Sequence, residues 1–210
     1  MPTKRHYHAV ISAQNYLIAV GGLGVGGVVL STVEVMDMNT LEWYTAASLP
    51  EPVYRVSVTV CEGRLYLLGG VDKNYNEMYG RATNAVFTCT LDSLIRSCLP
   101  SSQTPPHTSE ASVWQRVADV PVVLSTCITL NGRVVAVGGL DSHNRARPAV
   151  HMYNADSDSW FVLGNMPTAR CRCLVVGLRD YIVAVGGYRG YSSVEVGYLQ
   201  LSGGCCIYSV

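Results

Sequence analysis

Short apolar runs, rich in β-branched and aromatic side chains, recur along this 210-residue chain between turn residues. In the first fifty residues they fall at Tyr7 to Ser12, Tyr16 to Val20, Thr32 to Met36 and around Trp43. Their length, and the Gly, Asn, Asp or Pro that bounds each, reads as strands. Asn15, Glu62-Gly63, Asn131-Gly132 and Arg179-Asp180 stand between first and second runs as tight hairpin turns. Asp37 to Asn39 and Asn154 to Asp156 separate the last two runs of their units. No window sustains a 3.6-residue apolar period, so the pattern predicts almost no helix.

The pattern repeats. Gly-Gly closes an apolar run four times, at Gly21-Gly22, Gly69-Gly70, Gly138-Gly139 and Gly186-Gly187, and the first glycines are 48, 69 and 48 residues apart. Trp43 and Trp160 each lie 22 residues after a doublet's first glycine; Trp114 lies 45 after, which places an insertion of 23 residues in the second unit. One period near 48 then divides the chain into units 1–50, 51–120, 121–167 and 168–210. The insertion, about 92–112, is rich in Pro, Ser and Thr and predicts an irregular surface loop. Thr104-Pro105 within it is a candidate phosphorylation site.

The doublet after a buried strand, Tyr153 or its equivalent in the third strand, and the Trp some six residues later resemble the kelch repeat. The resemblance implies an all-β, kelch-type β-propeller of about four blades, each of four antiparallel strands. A single blade has two apolar faces and cannot bury both alone, so blades must stack. Kelch arrays resemble six- or seven-bladed rings, and Met1-Pro-Thr-Lys-Arg5 matches the inter-unit junction Met166-Pro-Thr-Ala-Arg170. That register predicts an incomplete ring, with further kelch blades in a full-length protein; a compact four-blade ring is the alternative.

Charge narrows the function. Fifteen basic against fifteen acidic residues give a net charge of zero, which excludes an overall basic footprint for phosphate backbones. Charged residues are 14% and hydrophobic ones 49%, the balance of a core-rich chain. The longest uncharged apolar run, Leu17 to Leu30, holds five glycines in 14 residues, too short and too broken for a spanning helix. Eight cysteines without a secretory leader point to reduced thiols and a cytoplasmic setting.

Two motifs suggest small-molecule chemistry. Gly22-Leu-Gly24-Val-Gly26-Gly27 fits a dinucleotide fingerprint, but a fingerprint of that kind must open a helix. The next stretch, Val28 to Val35, is instead β-branched and strand-like. Cys171 with Cys173, and His6 with His8, alternate on one strand face; no matching spacing elsewhere completes a zinc site. No metal or cofactor is expected. Kelch-like propellers also resemble radical copper oxidases and a sialic-acid mutarotase, which keeps an oxidase- or mutarotase-like enzyme of the propeller mouth as the alternative. The five histidines show no such constellation.

Function then belongs to loops at one rim. One loop family carries Asp72, Tyr75, Asp141, His143, Arg145, Tyr188 and Arg189; the other carries Lys4-Arg5, Tyr54-Arg55, Arg170 and Arg172. By the resemblance, both line one mouth of the ring, and an Arg near the start of strand one contacts an acidic peptide. Arg5, Arg55 and Arg170 are the best candidates, with Ser125 or Thr126 in unit three. The leading expectation is a non-enzymatic protein-binding module, in the family a substrate receptor of ubiquitin ligases or an actin-binding adaptor.

Overall fold

The computed structural model describes residues 1–72, 81–98, 112–179, 181–188, 194–200 and 204–209. Its sixteen strands form four antiparallel sheets of four, each taken in chain order. Blade one holds β1 (Ala9–Ala13), β2 (Tyr16–Val20), β3 (Val33–Asp37) and β4 (Trp43–Ala46). Blade two holds β5 (Ser57–Cys61), β6 (Arg64–Val71), β7 (Ala82–Thr90) and β8 (Gln115–Val117). Blade three holds β9 (Thr126–Leu130), β10 (Arg133–Val137), β11 (Ala149–Asn154) and β12 (Ser159–Asn165). Blade four holds β13 (Leu174–Leu178), β14 (Tyr181–Val185), β15 (Val194–Gln200) and β16 (Gly204–Ser209). The first strand starts at Ala9, two residues later than its apolar run suggests, because Tyr7 is turned into the left-handed region (φ 54°).

Two of the glycine doublets, in blades one and three, bolt a blade to its neighbour. All eight doublet glycines have positive φ. A Cβ on Gly21 would collide with the Val53 carbonyl oxygen, and one on Gly138 with that of Arg170, each in the next blade's lead-in. Bare glycine lets those carbonyls come close enough to accept from the doublet: Gly22 N–H to Val53 O is 2.8 Å and Gly139 N–H to Arg170 O is 2.9 Å. The residue after each doublet then bridges its own blade's lead-in, pairing Leu23 with His6, Val71 with Tyr54, Leu140 with Val123 and Tyr188 with Cys171.

The core is a series of slabs between blades. Ile18, Val20 and Val35 of blade one pack on Leu65 and Leu67 of blade two. Leu68 and Val86 meet Cys127, Val134 and Ala136 of blade three, and Val135 and Val150 meet Val175 and Ile182 of blade four. Polar stitches run beside the apolar contacts: the Cys127 N–H donates to Ser57 Oγ (2.8 Å) and Thr126 Oγ1 to the Cys173 carbonyl (2.7 Å). The Trp114 indole N–H donates to Ala47 O (3.1 Å) and that of Trp160 to Ala118 O (2.8 Å), in each case a carbonyl just past the preceding blade's last strand.

The insertion departs from the expected irregular loop at its start. A short helix, α1 (Leu91–Arg96), begins there with Thr90 Oγ1 accepting from the Ser93 N–H as its N-cap. Leu91 and Leu94 are buried in the slab between blades one and two, so this segment seals an outer edge. Residues 99–111, including Thr104-Pro105, lie outside the described residues. The first strands β1, β5, β9 and β13 stand side by side in that order, and no comparable contact returns from β13 to β1. Four blades thus make an open arc, an incomplete propeller ring.

Candidate functional site

Each blade's lead-in reaches its first strand through one kinked residue. Tyr7, Arg55, Leu124 and Arg172 hold φ of 54°, 56°, 55° and 53°. Their spacing repeats the 48, 69 and 48 of the doublets, so they are one position in four copies. A left-handed non-glycine residue costs on the order of 1–2 kcal/mol, and such residues persist only where their surroundings fix them. Here the fixing is between blades: the Arg55 N–H donates to Tyr7 O (2.8 Å) and the Arg172 N–H to Leu124 O (3.3 Å).

These residues border a cleft of about 400 Å³ that draws on all four blades, with Ser57, Ser125 and Thr126 in its wall. The Arg55 guanidinium lies 4.6 Å from the centre of the Tyr7 ring and 5.7 Å from that of Tyr54, stacking that holds the planar group in place. Lost hydration, and after it the charge of Arg55, draw the Arg172 pKa below its usual value. Two like charges therefore share one cleft. Among the described residues neither has a carboxylate within ion-pair reach. Leu124, the unit-three copy, is buried and lines the same cleft.

Arg5 and Arg170 are placed elsewhere. They share a different register, with Val53 and Val122, two residues ahead of the kink. Arg5 donates to Gly21 O (2.8 Å), Thr32 O (3.0 Å) and Thr32 Oγ1 (2.9 Å) and pairs with Glu34 at 3.1 Å. Arg170 is fully buried and donates to Gly186 O at 2.8 Å. Both arginines fasten a lead-in to the end of the second strand and neither reaches the rim. The third strand carries a matching signal. Opposite Ala19, Leu67, Ala136 and Ala184 stand Glu34, Phe87, His151 and Glu195. Units with Arg in the lead-in have Glu there, and units with Val have Phe or His.

The remaining candidates scatter. Asp141 Oδ1 accepts from the His143 and Arg145 N–H groups (2.9 and 3.0 Å), and its Oδ2 from Arg145 Nε (2.9 Å). Led by the Arg145 N–H, these bonds hold the carboxyl at a pKa of about 2, so Asp141 and Arg145 serve their own loop. His143 is exposed beside Ser142, and Tyr188 is 64% exposed on the bridge to Cys171. Asp72 follows the end of β6, and its Oδ1 is buried with no partner among the described residues. Tyr75 and Arg189 lie outside the described residues.

Other motifs resolve simply. Val25–Gly27 forms a single 3-10 turn where the dinucleotide fingerprint needs a helix. Cys171 and Cys173 are buried, and burial raises the Cys173 thiol pKa. Among the described residues no three His, Cys, Asp or Glu are grouped to hold a metal ion, and no helix is long and apolar enough to cross a membrane.

Similarity to known proteins agrees with this architecture. The Kelch motif family matches residues 4–50 and 121–167, units one and three. Kelch-like protein 35 of Mus musculus is 26% identical over 171 residues, 71% of this chain and 30% of that protein. Kelch domain-containing protein 8B of Mus musculus is 27% identical over 182 residues, 85% of this chain and 48% of that protein. Beta-scruin of Limulus polyphemus is 30% identical over 88 residues, 41% of this chain and 10% of that protein. The chain spans less than half the length of each. All of it superposes on 65% of the solved structure of YjhT, with a TM-score of 0.75 at 13% identity, a likeness of fold. Stacked four-stranded blades bolted by glycine doublets define a kelch-type β-propeller. The chain carries the Kelch motif in two of its units and is similar to kelch-repeat proteins over most of its length.

Proposed function

We propose that the chain is a non-enzymatic protein-interaction module that captures an acidic segment of its partner between Arg55 and Arg172. One observation carries this reading: two guanidinium groups border one cleft, and no described carboxylate neutralises either. A carboxylate accepts two parallel bonds from such a group, and the second arginine relieves its repulsion from the first by sharing the same anion. A cleft of about 400 Å³ admits a few side chains of an extended peptide. Kinship with Kelch-like protein 35 and the scruins supports an interaction role. Service as a ubiquitin-ligase substrate receptor or an actin-associated adaptor, in the cytoplasm, would use this cleft as its capture site. The free state of the described cysteines accords with that setting.

The test is binding of labelled peptides carrying paired Asp and Glu, against copies with Asn and Gln. The acidic peptides should bind and weaken with salt. Arg55→Ala and Arg172→Ala should each cost roughly 1.5–3 kcal/mol of affinity, the worth of a charge-assisted bond, with the melting temperature nearly unchanged. Equal binding of the amide copies, or two alanine variants that bind fully, would refute the assignment.

A further inference from the structure

The cleft carries a means of closing itself, an inference that rests on reading it as an anion site. Tyr7 lines the cleft and is 51% exposed. Its ring lies 4.6 Å from the Arg55 guanidinium, and its carbonyl accepts from the Arg55 N–H at 2.8 Å. Backbone and side chain both hold it beside that charge. The other hydroxyls in the wall are committed or covered. Ser57 Oγ accepts from the Cys127 N–H, Thr126 Oγ1 donates to the Cys173 carbonyl, and Ser125 is 8% exposed. Among the described residues no carboxylate lines the cleft. Tyr44 supplies the contrast: it is exposed too, but its hydroxyl donates to Glu42 Oε2 at 2.7 Å. A phosphate on Tyr44 would meet a carboxylate, whereas one on Tyr7 would meet guanidinium groups.

We infer that Tyr7 is a phosphorylation site, and that its phosphate closes the cleft to acidic partners. The reaction joins Tyr7 Oη to the γ-phosphorus of ATP, with a tyrosine kinase as catalyst. The bond from that phosphorus to its bridging oxygen breaks, the electron pair leaves with ADP, and the phenol proton is released. The product carries about −1.5 to −2 charge near neutral pH and three acceptor oxygens. A change of rotamer carries the Arg55 guanidinium from the ring face toward the phenolic end, and Arg172 borders the same cleft. One phosphate then pairs with both cations and relieves their mutual repulsion. Being part of the chain, it meets them at an effective concentration that a free acidic segment must outcompete.

The test encodes phosphotyrosine at position 7 of the 210-residue chain. Phosphorus NMR first titrates the phosphate with no peptide present. Its second ionisation, ordinarily at about pH 6, should fall by roughly one unit, and Arg55→Ala or Arg172→Ala should bring it back. A phosphate that titrates at the ordinary value and ignores both changes overturns the inference. A labelled peptide of paired Asp and Glu should then bind the phosphorylated chain at least tenfold more weakly than the unmodified one, and phosphatase treatment should restore binding. Equal binding by the two chains overturns the inference and leaves the acidic-segment reading intact. An unmodified chain that binds no such peptide refutes that reading instead, and the phosphorus titration still decides the present one. Accessibility is measured separately, on the unmodified chain with ATP and a broad-specificity tyrosine kinase domain. Mass spectrometry should find phosphate on Tyr7; a chain labelled on Tyr44 and Tyr188 with Tyr7 spared overturns its assignment as a modification site.

Discussion

Removing one member of the Arg5–Glu34 pair should damage blade one far more than removing both. The two side chains are 0% and 3% exposed, and Glu34 also accepts from the Thr3 N–H at 3.0 Å. Glu34→Phe alone leaves a guanidinium buried without its counter-charge, and Arg5→Val alone leaves a buried carboxylate. Breaking a buried pair in this way costs about 3–5 kcal/mol. In a chain of this size each kcal/mol moves the melting temperature by about 2–4 °C, so each single change should lower it by roughly 6–20 °C. The double change installs the Val53 and Phe87 combination that blade two already uses at the same register. With neither charge left to desolvate, its stability should lie between that of the parent and about 4 kcal/mol above it. Urea unfolding of the four proteins closes a double-mutant cycle, and a coupling of several kcal/mol should appear. A double variant that loses the sum of the two single losses would refute the pairing as the reason these residues occur together.

His151 is buried, and burial alone lowers its pKa from the ordinary 6.5. The unfolded chain therefore binds its proton first, so the contribution of neutral His151 is full above pH 6.5 and is lost as pH falls below it. His151→Phe should flatten the fall in melting temperature between pH 7.5 and 5.5, and an unchanged fall would refute the assignment. Gly138→Ala adds a Cβ that collides with the Arg170 carbonyl at φ 62°, while Gly26→Ala, at φ 74°, meets nothing within 4 Å. The second should cost about 1 kcal/mol of backbone strain and the first at least twice that; equal losses in thermal melts would show that the doublet is not a bolt between blades.

The blades were legible because their signals are local. A doublet that must take positive φ and admit a neighbouring carbonyl favours glycine, and Trp43 and Trp160 keep the same 22-residue distance from theirs. The site was harder because two arginine registers lie two residues apart. Arg5 and Arg170 stand at one, Arg55 and Arg172 at the other. Grouping Arg5, Arg55 and Arg170 mixes them, whereas counting from the doublets separates them. The Arg-with-Glu and Val-with-Phe or Val-with-His correspondence was also present in the sequence, but it links residues about thirty apart and becomes visible only once strand register is known. Helix α1 escaped detection for another reason: six residues are too few to show a period, and Leu91 with Leu94 is its whole apolar face.

The two registers divide the work of one residue type. Two positions before the first strand kinks, an arginine is spent on backbone carbonyls and a buried glutamate. At the kink itself, the left-handed backbone turns the residue to the cleft. The strain of that kink, on the order of 1–2 kcal/mol per blade, is sustained by bonds between neighbouring lead-ins, Arg55 N–H to Tyr7 O and Arg172 N–H to Leu124 O. The arginines that would bind a ligand are therefore held by the same contacts that hold the blades in line. An anion shared by Arg55 and Arg172 joins blade two to blade four across blade three, so it binds the assembled arc and not the separated blades. Anything that binds only the assembled state stabilises it by mass action, by about 2.7 kcal/mol at a hundred times its dissociation constant. Capture of a partner and cohesion of the arc are thus one equilibrium. A peptide that occupies the cleft should protect the amides of Arg55 and Arg172 from exchange even though it touches only their side chains.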